Sequence, residues 1–521
     1  MTTTSCGVAL RRWRAKLDGM KPAPPVTRMR LPFTRASLPT GLRTEAQWLP
    51  IVVVVATVGA ALAYLLTRLI RDAGGKPVYD DEALGGLIAA RPVNEIVETV
   101  MGDRGGAPLH FLLAHVTLGL DPSPVALRAL SIVFAVGAVL LCYDLGRRLG
   151  GRTAGVAAAL VAAASDLLLL YGSFGRMYAL FAFAAALAAD LFVRALERPS
   201  AQAAALAALA ALLLPASHPY GIVPFAVEAV VALAVWRGRP LRPALPTLVI
   251  ALGVVPFLVA DLRLLDRFSV GLGGDSLAQQ RSVVDFAREV LGGLGGRTGL
   301  LLVLVIGLAL AGLFLLRRRS LPFVAYGAGL FASSALLLVL ARAGDPAPLS
   351  SRYFIFLLPV WAALVGVAAA RVGVVGVAAL AAVVFLAPGN AVKDPRVLEI
   401  AKPSELAAPA ALVREQVGER DVLFPYSPVY LSALPQTAHA TVVSRARPEL
   451  LLRELDEAAY PVLRVFIAVP QDDSWQLLVT NGPFVDRVAV LRAIEDELAG
   501  LEADPFVIKA GSAVAAALAA A

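Results

Sequence analysis

Cysteine is nearly absent. The chain holds two, Cys6 in a basic N-terminal stretch and Cys142 inside an apolar run. That rules out a disulfide framework and any cysteine-based metal spacing. Charge is scarce too: 17% of residues are charged, against about 25% in soluble domains. A soluble enzyme is excluded on that ground. No signal peptide is visible. Residues 1–46 carry Arg11, Arg12, Arg14, Lys16, Lys21, Arg28, Arg30, Arg35 and Arg43, with no apolar core before Trp48. No half-to-half repeat of the kind common in transporters can be seen. The net charge of +8 does not point to nucleic acid, because the arginines flank apolar runs and there set orientation.

What is present is hydrophobic sequence, 58% of the chain, gathered into blocks of roughly 16 to 22 residues. Each is long enough as helix to cross a hydrocarbon core of about 30 Å. The blocks predict about eleven transmembrane helices, near 48–70, 125–146, 153–171, 177–196, 201–216, 219–236, 244–262, 298–316, 321–341, 353–370 and 372–388. With the basic tail inside, every second turn should be cytoplasmic and arginine-rich. Those turns carry Arg147, Arg148 and Arg152; Arg194 and Arg198; Arg237, Arg239 and Arg242; Arg317, Arg318 and Arg319; and Arg371. The opposite connections carry mixed charge. The expectation is a multi-pass protein of the plasma or inner membrane, with its N-terminus cytoplasmic.

The organisation follows. Residues 1–46 are a basic cytoplasmic tail and 47–390 the transmembrane domain. The first outer loop, 71–124, contains Pro108–Leu120, apolar but too short to span. A second long outer loop, 261–297, holds a helix-like piece at Gln279–Leu291. Residues 391–510 alternate in polarity and predict a small extracytoplasmic α/β domain. In it Val422–Pro425 and Val462–Val469 are strand-like, and Pro448–Ala458 and Val488–Leu501 are amphipathic helices. Residues 511–521 are an alanine-rich tail, expected to fray. The fold class is a polytopic α-helical membrane protein with a small C-terminal α/β domain.

By this topology the unusual polar residues collect on the outer side: Asp80, Asp81 and Glu82; His110 and His115; Arg176 and Tyr178; His218 and Tyr220; Arg352 and Tyr353. Taken singly, each has an ordinary explanation as a solvated loop, a snorkelling anchor or a helix cap. Five residues separate His110 from His115, so a helix gives them no shared face. Collected on one side, ionisable groups near a membrane core mark a site. Glycosyl transfer from a lipid phosphate needs a carboxylate to take the acceptor's proton. It also needs a cation fork for the departing phosphate and an opening to the lipid.

Four stretches resemble a known family. Tyr79-Asp80-Asp81-Glu82-Ala83 is similar to an Asp-Glu motif in a first outer loop. Ala107-Pro108-Leu109-His110-Phe111-Leu112-Leu113 resembles a His-Pro-Pro-Leu-Tyr-Tyr segment. Arg176-Met177-Tyr178-Ala179-Leu180 matches a span opening, and Ser351-Arg352-Tyr353-Phe354 a later Arg-Tyr segment. Together they resemble GT-C fold glycosyltransferases of the glycosyltransferase 39 or protein mannosyltransferase-like group, which includes lipid A aminoarabinose transferases. The resemblance covers about residues 48–390. It implies a GT-C-type bundle and an enzyme that transfers a sugar from a polyprenyl-phosphate donor to a hydroxyl on a glycan, lipid or protein. Asp81 would be the catalytic base, with Glu82 supporting it or contacting the acceptor. Arg176 and Arg352, with Tyr178 and Tyr353, are the candidates for the donor phosphate. Asp80, Asp103, His110 and His218 are candidates for substrate or a divalent cation. The resemblance fixes no cofactor, a divalent metal cation being the one candidate, and membrane lipids are the other partner. The chain departs from the pattern at Gly106 and Ala107, and at Ser173-Phe174-Gly175, where Gln-Glu-Ala is usual. The alternatives are a transporter, a lipid-linked glycan flippase, or an inactive scaffold.

Overall fold

The computed structural model describes residues 40–76, 78–104, 106–236, 245–267, 282–295, 298–343, 349–386, 403–443, 448–471, 474–501 and 505–521. The basic tail as far as residue 39, and residues 268–281 and 296–297 of the second long loop, lie outside the described residues. Met1–Val53 and Val54–Ala521 form two compact units; of the first, the described part opens the helix Thr40–Gly75.

All eleven predicted apolar blocks are helical. Among the described residues, seven helices are long and apolar enough to cross a membrane: Val52–Gly75, Pro124–Gly150, Tyr178–Glu197, Pro219–Trp236, Gly299–Leu316, Leu321–Leu340 and Ser351–Ala370. The other four blocks form shorter helices. The third breaks into Arg152–Ala163 and Asp166–Tyr171, and the seventh into Leu245–Leu252 and Val255–Arg267. The fifth is Ala201–Ser217 and the eleventh Val374–Leu386. Pro108–Leu120 forms the short helix Leu109–Leu120.

Small side chains let the helices approach closely, the usual way to pack in lipid. A Cβ on Gly312 would sit 2.0 Å from the Leu364 carbonyl oxygen, so only glycine permits that contact. Leu358–Ala370 runs through the centre of the bundle with almost every residue buried. Caps fix the helix ends: Ser123 accepts from the Ala126 N–H at 3.2 Å and Ser200 from the Ala203 N–H at 3.0 Å.

The C-terminal region carries a four-stranded sheet of β1 Asp421–Phe424, β2 Thr441–Val442, β3 Val462–Gln471 and β4 Ser474–Phe484, in the order β2-β1-β3-β4. β1 runs parallel to β2 and β3, and β4 antiparallel to β3. Alternation divides its two faces. Leu423, Phe466 and Ala468 share a core with Ala83, Leu87 and Leu118 from the first long loop. Val422, Phe424, Val465 and Ile467 pack on the helices Pro448–Glu457, Arg487–Ala499 and Pro505–Ala520. The alanine tail does not fray. It is the end of Pro505–Ala520, with Ala510, Val514 and Ala517 buried against that core. Alanine's strong helix propensity and a buried face explain the difference.

Candidate active site

The acidic motif opens the short helix Asp80–Ala89. Tyr79 is extended before it, and Glu82 at the third position accepts the Tyr79 N–H at 3.1 Å, capping the helix start. The same carboxylate meets three further donors. Arg128 grips it with two bonds, Nε to Oε1 at 2.9 Å and Nη2 to Oε2 at 2.6 Å. The Gly175 N–H reaches Oε1 at 2.6 Å. Arg128 also donates to the carbonyls of Ala73 at 2.8 Å and Lys76 at 2.9 Å. Glu82 is therefore buried and committed to four donors, and it anchors the first turn of the helix.

Asp81, its neighbour, has a side chain 37% exposed. Two arginines converge on this residue from different elements. Arg176 ends the loop Gly172–Met177, which Ser131 holds by donating to the Phe174 carbonyl at 2.6 Å. Its Nη1 donates to the Asp81 carbonyl at 2.9 Å. Arg352 lies in the 3-10 turn Ser351–Leu357, with Nη1 3.5 Å from Asp81 Oδ2. Both guanidinium groups are buried. The Nε–H of each finds no hydrogen-bond acceptor among the described residues.

Aromatic rings pack around Arg352. Its guanidinium lies over Tyr178 at 5.2 Å and Tyr353 at 5.4 Å, within cation–π range. Tyr353 stacks on Tyr220 at 5.0 Å, and His218 on Phe181 at 4.8 Å. His218 is buried, and its Nδ1 accepts the Tyr220 N–H at 3.1 Å. His110 is buried beside Gly175 and Arg176. Burial first, then the Arg176 charge, pushes its pKa down to about 3, so it is neutral there.

The structure thus brings together Asp81, Glu82, Arg176, Tyr178, His110, His218, Arg352 and Tyr353. His115 stands apart and donates to the Ala89 carbonyl at 2.8 Å. Asp80 opens the site helix and Asp103 lies in the π-turn Val100–Arg104; their side chains are outside the described set. Among the described residues, no group of three or more histidine, cysteine or acidic side chains stands where it could hold a metal ion. The histidines here face arginine and aromatic rings, a poor donor set for a cation.

Two residues escaped the sequence reading. Arg128 interrupts the apolar run of Pro124–Gly150, and a lone charge inside a span is itself a signal. Glu289, from the helix Val283–Gly295, is buried and accepts from Ser351 Oγ at 2.7 Å, one residue before Arg352.

The helical bundle with this site at one end and the small sheet beside it has the GT-C fold, and the chain is a polytopic membrane protein. Among solved structures, it is similar to the archaeal oligosaccharyltransferase AglB from Archaeoglobus fulgidus. The TM-score is 0.50 at 12% identity, over 81% of this chain and 70% of that one. It also matches ArnT from Cupriavidus metallidurans in the apo state, with TM-score 0.43 and 15% identity, over 91% of this chain and 77% of that one. Arabinosyltransferase EmbB from Mycobacterium smegmatis matches with TM-score 0.38 and 17% identity, over 98% of this chain and 43% of that one. No family model matches the chain, and no curated protein matches it.

Proposed function

We propose that this chain is an inverting membrane glycosyltransferase that moves a sugar from a polyprenyl-phosphate donor to an acceptor hydroxyl on a glycan, lipid or protein. One observation carries the reading. A half-exposed carboxylate, Asp81, stands beside two buried guanidinium groups whose Nε–H groups have no acceptor among the described residues. Glu82 and Arg128 cancel each other. Arg176 and Arg352 are the two other described guanidinium groups at Asp81, placed to take an anion. The oligosaccharyltransferase that shares the fold was captured with a dolichol-phosphate and an inhibitory peptide, which supports a lipid-phosphate donor here.

In this mechanism Asp81 takes the proton of the acceptor hydroxyl. The freed oxygen attacks the anomeric carbon, and the bond from that carbon to the phosphate oxygen breaks. Its electron pair leaves on the polyprenyl phosphate, whose charge Arg176 and Arg352 hold. Glu82, held by four donors, fixes the helix turn that presents Asp81. The arginine-rich turns at the opposite end support placing the site on the outer face of the plasma or inner membrane, with 391–510 as an extracytoplasmic α/β domain covering its mouth.

The test is Asp81→Asn in membranes supplied with labelled polyprenyl-phosphate sugars. Loss of a general base should slow transfer about 10²- to 10⁴-fold. Undiminished transfer by the variant overturns the assignment.

A further inference from the structure

A second polar site lies at the other end of the bundle. The helix Tyr178–Glu197 begins at the candidate active site, and Phe192, fourteen residues on, is about 21 Å along its axis. There it meets Ala201–Ser217, Ile222–Trp236 and Leu245–Leu252 around a cavity of about 80 Å³. The wall is apolar, built by Phe192, Ala207, Ala211 and Trp236, with two exceptions. Glu228 is 4% exposed, and its Oε2 is buried without a hydrogen-bond partner among the described residues. Thr247 Oγ1 is likewise buried, with no partner among the described residues. Both residues line the same cavity.

An unpaired carboxyl in a membrane bundle is expensive, and such groups mark ligand or ion paths. No residue of the proposed transferase site is involved. A water molecule seeks two to four polar partners. Glu228 and Thr247 supply enough for one, and the remaining apolar wall suits chain carbons. We propose that this cavity binds a membrane-dissolved long-chain alcohol. Its hydroxyl donates to Glu228 and accepts from Thr247, and its chain runs along the alanine wall to Trp236.

Trp236 reports on occupancy. In proteoliposomes of the full chain, titration with 11-bromoundecan-1-ol should quench Trp236 fluorescence saturably, whereas 1-bromoundecane should quench only in proportion to its concentration. Trp236→Phe should remove the saturable component. Glu228→Leu should weaken binding about tenfold, the worth of one buried hydrogen bond. Ala211→Phe, which fills the cavity and keeps Glu228, should abolish binding and covers the case in which Glu228→Leu fails to fold. Equal quenching by the alcohol and the bromoalkane overturns the proposal. So does saturable quenching that survives Ala211→Phe, and so does its absence in the unaltered chain, the result for a cavity holding water alone.

Discussion

Replacing Arg128 with methionine probes the best-defined contact in the site. Arg128 and Glu82 have side chains only 2% exposed on each side. The change deletes both bonds of the ion pair and strips a donor from the carbonyls of Ala73 and Lys76. Glu82 keeps only the N–H groups of Tyr79 and Gly175. Breaking a buried pair by removing one partner costs about 3–5 kcal/mol. Unfolding entropy near 2.1 cal/mol/K per residue gives a 521-residue chain about 1.1 kcal/mol/K, so the melting temperature should fall by roughly 3–5 °C. Transfer should fall further than stability. The first turn of the Asp80–Ala89 helix loses its anchor, and a displacement of about 1 Å at the reacting group costs around 10²-fold. Melting in detergent and transfer from labelled donor are measured for Arg128→Met, Glu82→Leu and the double variant. The double variant should be more stable than Arg128→Met alone, since no orphan carboxylate remains. The reasoning fails if Arg128→Met melts within a degree of the parent, or if the two single losses simply add.

Gly86→Val should destabilise by about 1–3 kcal/mol, because a Cβ there would lie 2.4 Å from Leu431 Cδ1 and 2.9 Å from Leu127 Cδ1. Adding Leu431→Ala should recover part of the loss in thermal denaturation. Arg352→Lys keeps the charge but loses the fork and the stacking on Tyr178 and Tyr353, so transfer should fall about 10- to 100-fold; parent-like kinetics would speak against a phosphate fork. His110 has its folded pKa pushed down to about 3 from an ordinary 6.5. Between those values the unfolded chain binds a proton that the folded chain does not. The stability this neutral residue confers is complete above pH 6.5 and is lost as pH falls toward 3. His110→Gln should flatten that decline in melting curves at pH 7, 5.5 and 4.5, and parallel curves would exclude the linkage.

The membrane fold was readable because length and hydropathy alone decide whether a segment can span. The alternation of Val422 and Leu423, or of Val465 and Phe466, likewise marked strands buried on both faces. β4 was missed, because its residues are only partly buried or exposed and its run Ser474–Phe484 mixes polar and apolar positions without strict alternation. The alanine tail was misjudged because composition does not reveal the core awaiting it. The site was readable as a set of residue types, of which the structure brings Asp81, Glu82, Arg176, Tyr178, His110, His218, Arg352 and Tyr353 together and leaves His115 apart. Its wiring was not. Nothing local in Asp80-Asp81-Glu82 says which carboxylate meets a partner 46 residues away.

In the proposed mechanism that wiring separates the two carboxylates by role. A base must reach the acceptor and exchange a proton; a group held by four donors can do neither without losing its bonds. Glu82 is saturated, and among the described carboxylates of this motif Asp81 is the one left with access. The helix carrying both is clamped along its length. Glu82 holds its start, Gly86 rests on Leu431, and Arg91 beyond its end donates to Glu454 at 2.7 Å. Leu431 and Glu454 belong to the C-terminal region. Acceptor contacts made on the sheet side would thus be felt at Asp81 through one short rigid helix. Weakening the far clamp with Glu454→Gln should then lower transfer while leaving donor binding unchanged.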